Sequence, residues 1–216
     1  MGWEFGFLSR SVNSQVQNHD LVSRRRDDIL KAAISVFRSR GFHDATTRMI
    51  AREANVAQSN LYNYVQTKGD ILYLVCEHLV GLYEQGVAEV LENHADPRER
   101  LVGGVRSILR IMLQHKDELV LLYNETHALE KEDRRQILKS VSRLNSAFQR
   151  IAADYEAAVG PLRVSNRRVA ANLMTFVPAI VALRWWDLST HADPDEIEEQ
   201  IFSFVLNGLG VAADTR

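Results

Sequence analysis

The chain has 216 residues, 46% of them hydrophobic, with only four prolines, which excludes a disordered chain and points to a globular, strand-poor protein of one helical body or two domains. Its single cysteine, Cys76, excludes an internal disulfide and fits a reducing cytoplasm, where it is expected as buried helix filler. The net charge of −2 is unevenly spread: residues 21–70 carry nine Lys/Arg against five Asp/Glu, and residues 71–216 carry sixteen against twenty-one, a basic head on an acidic body as expected when one end meets phosphate.

Residues 1–22 are expected to be a frayed N-terminal arm, or alternatively a strand or helix that docks on the body. Trp3, Phe5, Phe7 and Leu8 are apolar, but Glu4 interrupts them and no basic flank precedes them, so neither a signal peptide nor a membrane span is expected. Helix one is predicted over 23–40, with Ile29, Ala32, Ala33, Val36 and Phe37 inward and Gly41 as a left-handed cap. Arg24, Arg25 and Arg26 lie at its start, the unfavourable end of the helix dipole; they either approach phosphate or form a solvated face.

Thr46 to Lys68 (TTRMIAREANVAQSNLYNYVQTK) organises the chain. Thr46 or Thr47 can cap a short helix whose apolar stripe is Ile50, Ala51 and Ala54. Asn55 tolerates the left-handed conformation that a sharp turn needs, and Val56 plugs the angle. A second helix is predicted over 58–65, with Leu61 and Val65 inward and Ser59, Asn60, Tyr62 and Asn63 outward. Two helices joined this way match the helix-turn-helix, whose second helix enters the DNA major groove. Gln58 and Asn60 carry the paired donor and acceptor that read base edges. Tyr62, Tyr64, Thr47 and Lys68 can meet phosphates, and Arg48 can reach a phosphate or a guanine edge. The plain alternative is a helical hairpin with a wet polar face.

A long helix follows from Thr67, its expected cap, to about Asn93; some 26 residues span about 39 Å. Asp96-Pro97 opens a helix with Leu101, Val105, Ile108, Leu109 and Met112 inward. A short helix then carries Leu119, Leu122 and Tyr123, and the next carries Ile137, Val141, Leu144, Phe148, Ile151 and Tyr155 up to the break at Gly160-Pro161. Ser165 is expected to cap an apolar helix kinked at Pro178 and ending in Trp185 and Trp186. The last helix, after Pro194, is apolar on more than one side, so a second partner is expected besides its own body, and another copy of the chain would supply it.

The segment Arg24–Leu74 resembles the amino-terminal domain of the TetR family of bacterial transcriptional repressors. The residues that carry the resemblance are FRSRGFHDATT (Phe37–Thr47), IAREANV (Ile50–Val56) and LYNYVQTKGDIL (Leu61–Leu72). It implies an all-α fold, with a three-helix helix-turn-helix DNA-binding domain over 23–70 and a larger ligand-binding and dimerisation domain over 71–216. It also implies DNA contacts from Thr47, Arg48, Gln58, Ser59, Asn60, Tyr62, Tyr64 and Lys68, and a homodimer through the last two long helices on a pseudo-palindromic, double-stranded DNA operator. Asn55 stands where the family usually has a turn glycine, Ala57 where a serine cap is frequent, and Gly69 where an acidic residue is common. The Ala57 change removes a cap of about 1 kcal/mol. These departures bear on the operator sequence rather than on the family.

For the effector, polar and aromatic residues within apolar helices are the candidates: Arg106, Arg110, Tyr123, Asn124, His127, Phe148, Phe176, Arg184 and Trp185, each of which also has an ordinary structural reading. RIMLQHKDELVLLYNETHAL (Arg110–Leu129) and ALRWWDL (Ala182–Leu188) loosely resemble TetR regulators that answer acyl-CoA thioesters. That resemblance implies an acyl-CoA effector with basic residues at the CoA phosphates; an aromatic or drug-like effector is the rival. No cofactor and no enzyme activity are expected. Glu125 with His127, and His115 with Glu118, are pairs of a kind that arise by chance, and no third ligand at metal-binding spacing accompanies either. The rival to a regulator is a helical protein-interaction module that does not bind DNA.

Overall fold

The computed structural model describes residues 19–212, and every regular element among them is helical. In chain order these are α1 (His19–Asp44), α2 (Thr47–Glu53), α3 (Gln58–Leu61), α4 (Lys68–Asn93), α5 (Pro97–Gln114), α6 (Lys116–Glu125), α7 (Lys131–Ala158), α8 (Arg167–Phe176), α9 (Ile180–Leu183), α10 (Trp185–Leu188) and α11 (Pro194–Leu209). Short 3-10 turns at Thr126–Ala128 and Val177–Ala179 complete the set. The expected arm over 1–22 lies outside the described residues except for its last four, which are helical: helix one starts at His19, before the expected Ser23.

The described chain forms two compact units, a head of residues 19–79 with 117–137 and a body of residues 80–116 with 138–212. In the head, Ile29, Ala32, Ala33, Val36 and Phe37 are all buried, as their spacing predicts. Ile50 and Ala51 of α2, Leu61 of α3, Val65, and Ile71, Leu72 and Val75 of α4 complete this core. Burial of each large side chain contributes roughly 2 kcal/mol relative to leaving it in water. Gly41 has φ 76° and ψ 160°, which only glycine adopts readily, but it breaks α1 internally rather than ending it. Beyond the break Phe42 folds back, its ring 5.3 Å from that of Phe37.

In the body, Asp96 caps α5 by accepting from the amides of Arg98 and Glu99, and Leu101, Val105, Ile108, Leu109 and Met112 are buried. Gly104 brings α5 close to α7: a Cβ there would stand 3.3 Å from the Phe148 ring. The buried carboxylate of Glu84 on α4 is met by Arg143 of α7 at 2.9 Å, so its charge is paired.

Three further details depart from expectation. Asn166, not Ser165, caps α8, its side chain accepting from the amides of Arg168 and Val169. Pro178 does more than kink a helix: lacking an N–H, it converts residues 177–179 to a 3-10 turn. A further break at Arg184 (φ −125°, ψ 17°) then separates α9 from α10. Among the described residues no helix is long and apolar enough to cross a membrane.

Candidate functional site

The head presents α2 and α3 on a scaffold held by short-range bonds. Thr46 caps α2, its hydroxyl accepting from the Met49 amide at 3.2 Å. The turn closes with Asn55 at φ 52° and with the Val56 amide donating to the Ala51 carbonyl at 2.9 Å. Ala57 starts α3 without a side-chain cap. The helix itself is shorter than the expected 58–65: regular α-helix stops at Leu61, and the amides of Asn63 and Tyr64 donate to carbonyls three residues back. Val65 still donates to Leu61 at 3.1 Å, so both apolar residues remain buried, as their spacing of four requires.

The expected DNA-facing residues separate into three groups. Ser59, Asn60 and Arg48 are exposed. Thr47, Gln58 and Tyr62 come together: the Tyr62 hydroxyl lies 3.3 Å from Thr47 Oγ1 and accepts from Gln58 Nε2 at 3.3 Å, which links the start of α2 to α3. The hydrogen bond to Thr47, then that to Gln58, holds the Tyr62 hydroxyl below the usual phenol range. Tyr64 is half-buried. Lys68 turns inward: its ammonium donates to the carbonyls of Phe42 at 2.6 Å and His43 at 2.7 Å and lies 4.6 Å from the Phe42 ring centre. These bonds tie the start of α4 to the end of α1. The same helix start carries the expected Thr67 cap, with Thr67 Oγ1 accepting from the Asp70 amide while the Asp70 carboxylate accepts from the amides of Gln66 and Thr67.

The nine effector candidates do not form one cluster. In the body, Arg106 and Arg110 line an open groove of about 430 Å³ between α4 and α5, whose floor includes Gly86 and Ser107. Both arginines are paired there with α11: Arg106 donates to Glu198 at 3.2 Å and to Glu199, and Arg110 donates to Glu198 at 2.9 Å. The Arg106 guanidinium also stacks 3.5 Å over the Phe202 ring. Its hydrogen bond holds the Glu199 carboxyl below the usual carboxylate range. Phe148 is fully buried core, and Trp185 is half-buried beneath the Lys116 ammonium, 4.1 Å from the ring centre.

Phe176 and Arg184 are exposed in the segment from α8 to α10. There Val169, Leu173 and Phe176 of α8 and Ile180, Leu183 and Trp186 beyond it leave large apolar side chains in water, as does Phe204 of α11, 70% exposed. Large apolar side chains left in water on a folded surface are candidates for an interaction site.

Tyr123, Asn124 and His127 belong to the head, at the end of α6 and in the 3-10 turn after it, and all three are exposed. His127 has neighbours that the sequence did not foretell. Its ring, the Glu125 carboxylate and the His43 ring place one potential ligand atom each within 4.8 Å of one another. Cys76 is fully buried, and burial pushes its thiol up to about 12.

Comparison with known proteins places these features in context. Residues 29–73 match the family described as bacterial regulatory proteins, tetR family, and residues 94–209 match the tetracyclin repressor-like C-terminal domain. A similar relative is the HTH-type transcriptional regulator HbdR of Aromatoleum sp. (strain CIB), 28% identical over 198 residues that cover 91% of this chain and 86% of the relative. A tetR-family regulatory protein from Rhodococcus RHA1 superposes with a TM-score of 0.77 at 22% identity, covering 88% of this chain and 99% of that one. AibR, solved in complex with isovaleryl coenzyme A and operator DNA, superposes with a TM-score of 0.72 at 19% identity, covering 87% of this chain and all of its own.

Proposed function

Because the chain belongs to the TetR family of DNA-binding transcriptional regulators and is not an enzyme, we propose that it is a homodimeric repressor released from a pseudo-palindromic operator by a small-molecule effector, an acyl-CoA thioester. The observation that carries the DNA reading is the α2–α3 surface. Thr47, Gln58 and Tyr62 brace one another there, while Ser59 and Asn60 of α3 stand free of the core at positions a groove-entering helix uses, and Arg48 of α2 is exposed.

The exposed apolar run on α8, α9, α10 and α11 supports a two-fold dimer, which would set two heads on two half-sites. For the effector, AibR's complex with isovaleryl coenzyme A supports a thioester, and in this chain the groove beside Arg106 and Arg110 supports a place for an anionic group. There the CoA phosphates would compete with Glu198 and Glu199 for the two guanidinium groups. An effector that prefers the conformation unable to bind DNA lowers operator affinity by its differential affinity alone.

The test is fluorescence anisotropy of labelled DNA from upstream of the protein's own gene, followed by titration with acyl-CoAs of increasing chain length. Binding at low salt and its reversal by one class of acyl-CoA is the expected result. Binding that free coenzyme A, acyl-CoAs and free fatty acids all leave unchanged would remove the thioester. Absence of DNA binding would leave a helical interaction module.

A further inference from the structure

We propose that His43, Glu125 and His127 form a binding site for a zinc-class divalent transition-metal ion, one per chain, inside the head. The three residues offer two imidazole nitrogens and a carboxylate oxygen, and one ligand atom from each lies within 4.8 Å of the other two. Imidazole with carboxylate is a donor set suited to zinc, nickel and cobalt, whereas magnesium and calcium take oxygen alone.

The distances leave room for an ion between the groups: the imidazole and carboxylate are within ion-pair reach but are not hydrogen-bonded. Glu125 Oε2 is 3.6 Å from His43 Nε2, too long for a hydrogen bond between nitrogen and oxygen. Two ligands at zinc–nitrogen and zinc–oxygen distances, set at the tetrahedral angle, stand about 3.4 Å apart. Glu125 Oε2 is also shut away from solvent and has no hydrogen-bond donor among the described residues, although two imidazole rings lie near it. A buried carboxylate oxygen in that position has an unmet demand for positive charge, which a divalent ion supplies.

The backbone that carries two of the ligands is held by its surroundings, which limits how far His43 and His127 can move. The His43 carbonyl accepts from Lys68 at 2.7 Å, and its ring stands edge-on to Phe42 with 5.6 Å between centres. Thr126, between the other two ligands, donates from its hydroxyl to the Leu122 carbonyl, and the Leu129 amide donates back to Thr126 at 3.2 Å, so the 3-10 turn bearing His127 is fixed at both ends. The Glu125 side chain is mostly buried while that of His43 is 74% exposed, which leaves one side open for an ion to enter and for water to complete the coordination.

Such an ion would join two parts of the chain that are 82 positions apart, the residue two after the Gly41 break and the corner where α6 ends. It would hold the segment that leads directly into α2, and so gives the head a second input, separate from the organic effector.

The test needs no DNA, so its failure is distinct from failure of the regulator reading. Tag-free protein stripped with chelator is titrated with Co²⁺ and followed by visible absorption, then with Zn²⁺ in competition, with native mass spectrometry for stoichiometry. The expected result is one equivalent of Co²⁺ with the intense visible bands of a low-coordinate, nitrogen-ligated ion, displaced by Zn²⁺. His43→Ala and His127→Ala should each weaken binding by more than about 100-fold, Glu125→Gln should do likewise, and His191→Ala should have no effect. Circular dichroism confirms that the variants fold. Failure of the wild-type protein to take up Co²⁺ at micromolar concentration, or equal uptake by His43→Ala and His127→Ala, overturns the proposal.

Discussion

The ammonium of Lys68 lies 2.6 Å from the carbonyl oxygen of Phe42 and 4.6 Å from the centre of the same residue's ring. With the second bond to His43, this places a lysine expected at the DNA backbone in a structural joint between α1 and α4. Lys68→Ala should therefore destabilise the head itself, by about 2 kcal/mol, since it removes two charge-assisted hydrogen bonds and leaves two carbonyls to water. Urea unfolding of the variant beside Gln58→Ala checks this: the midpoint should fall for Lys68→Ala and hold for Gln58→Ala. Equal midpoints would show that the joint carries no energy.

Cys76 gives the expected pH dependence of the head. Its thiol, ordinarily near 9, is pushed up to about 12 by burial, so the folded state holds the proton more tightly than the unfolded chain. The stability linked to this group is whole below pH 9 and is lost as pH rises toward 12. Urea midpoints across that window should decline less steeply for Cys76→Ala than for the wild type, even though the alanine variant starts lower from its cavity. In the native protein at pH 8 the thiol should resist iodoacetamide and react only on unfolding. Prompt alkylation of folded protein would contradict the burial argument.

Phe204 and Trp186, 70% and 68% exposed, test the proposed dimer face. Phe204→Glu should leave each chain folded, with a stability change within about 0.5 kcal/mol when compared as monomers. It should shift sedimentation from dimer to monomer, because a charge would be buried in an apolar contact. A wild-type protein that sediments as a monomer, or a variant that stays dimeric, would place the interface elsewhere.

What was legible in the sequence was local. Thr46, Thr67 and Asp96 cap where their hydroxyls and carboxylate suggested, and Asn55 takes the positive φ that the turn needs. The inward faces of α1 and α5 follow from periodicity because helical spacing fixes which side chains share a face. The early end of α3 was hidden because Leu61 and Val65, four apart, are buried equally by a full helix or by the looser turns observed. Ser165 and Asn166 are both good caps one residue apart, and only packing chooses between them. The role of Lys68 was not legible, since its acceptors are backbone carbonyls 25 and 26 residues away. The pairing of His43 with Glu125 and His127 spans a still longer loop, and spacing rules for metal ligands look only along short stretches. The effector candidates scattered for a related reason: a polar residue within an apolar helix can be solvated, as Arg184 is, or paired, as Arg106 is, with the same local sequence.

The most direct measurement is operator affinity of an α3 variant set against its salt dependence. Tyr62→Ala and Asn60→Ala, both at exposed positions, should leave the unfolding midpoint nearly unchanged while weakening binding to upstream DNA by roughly tenfold or more each. Arg48→Ala should reduce the slope of log affinity against log salt by about one phosphate contact. If all three variants bind the same DNA as tightly as the wild type and with the same salt slope, the surface formed by α2 and α3 is not the one that meets DNA.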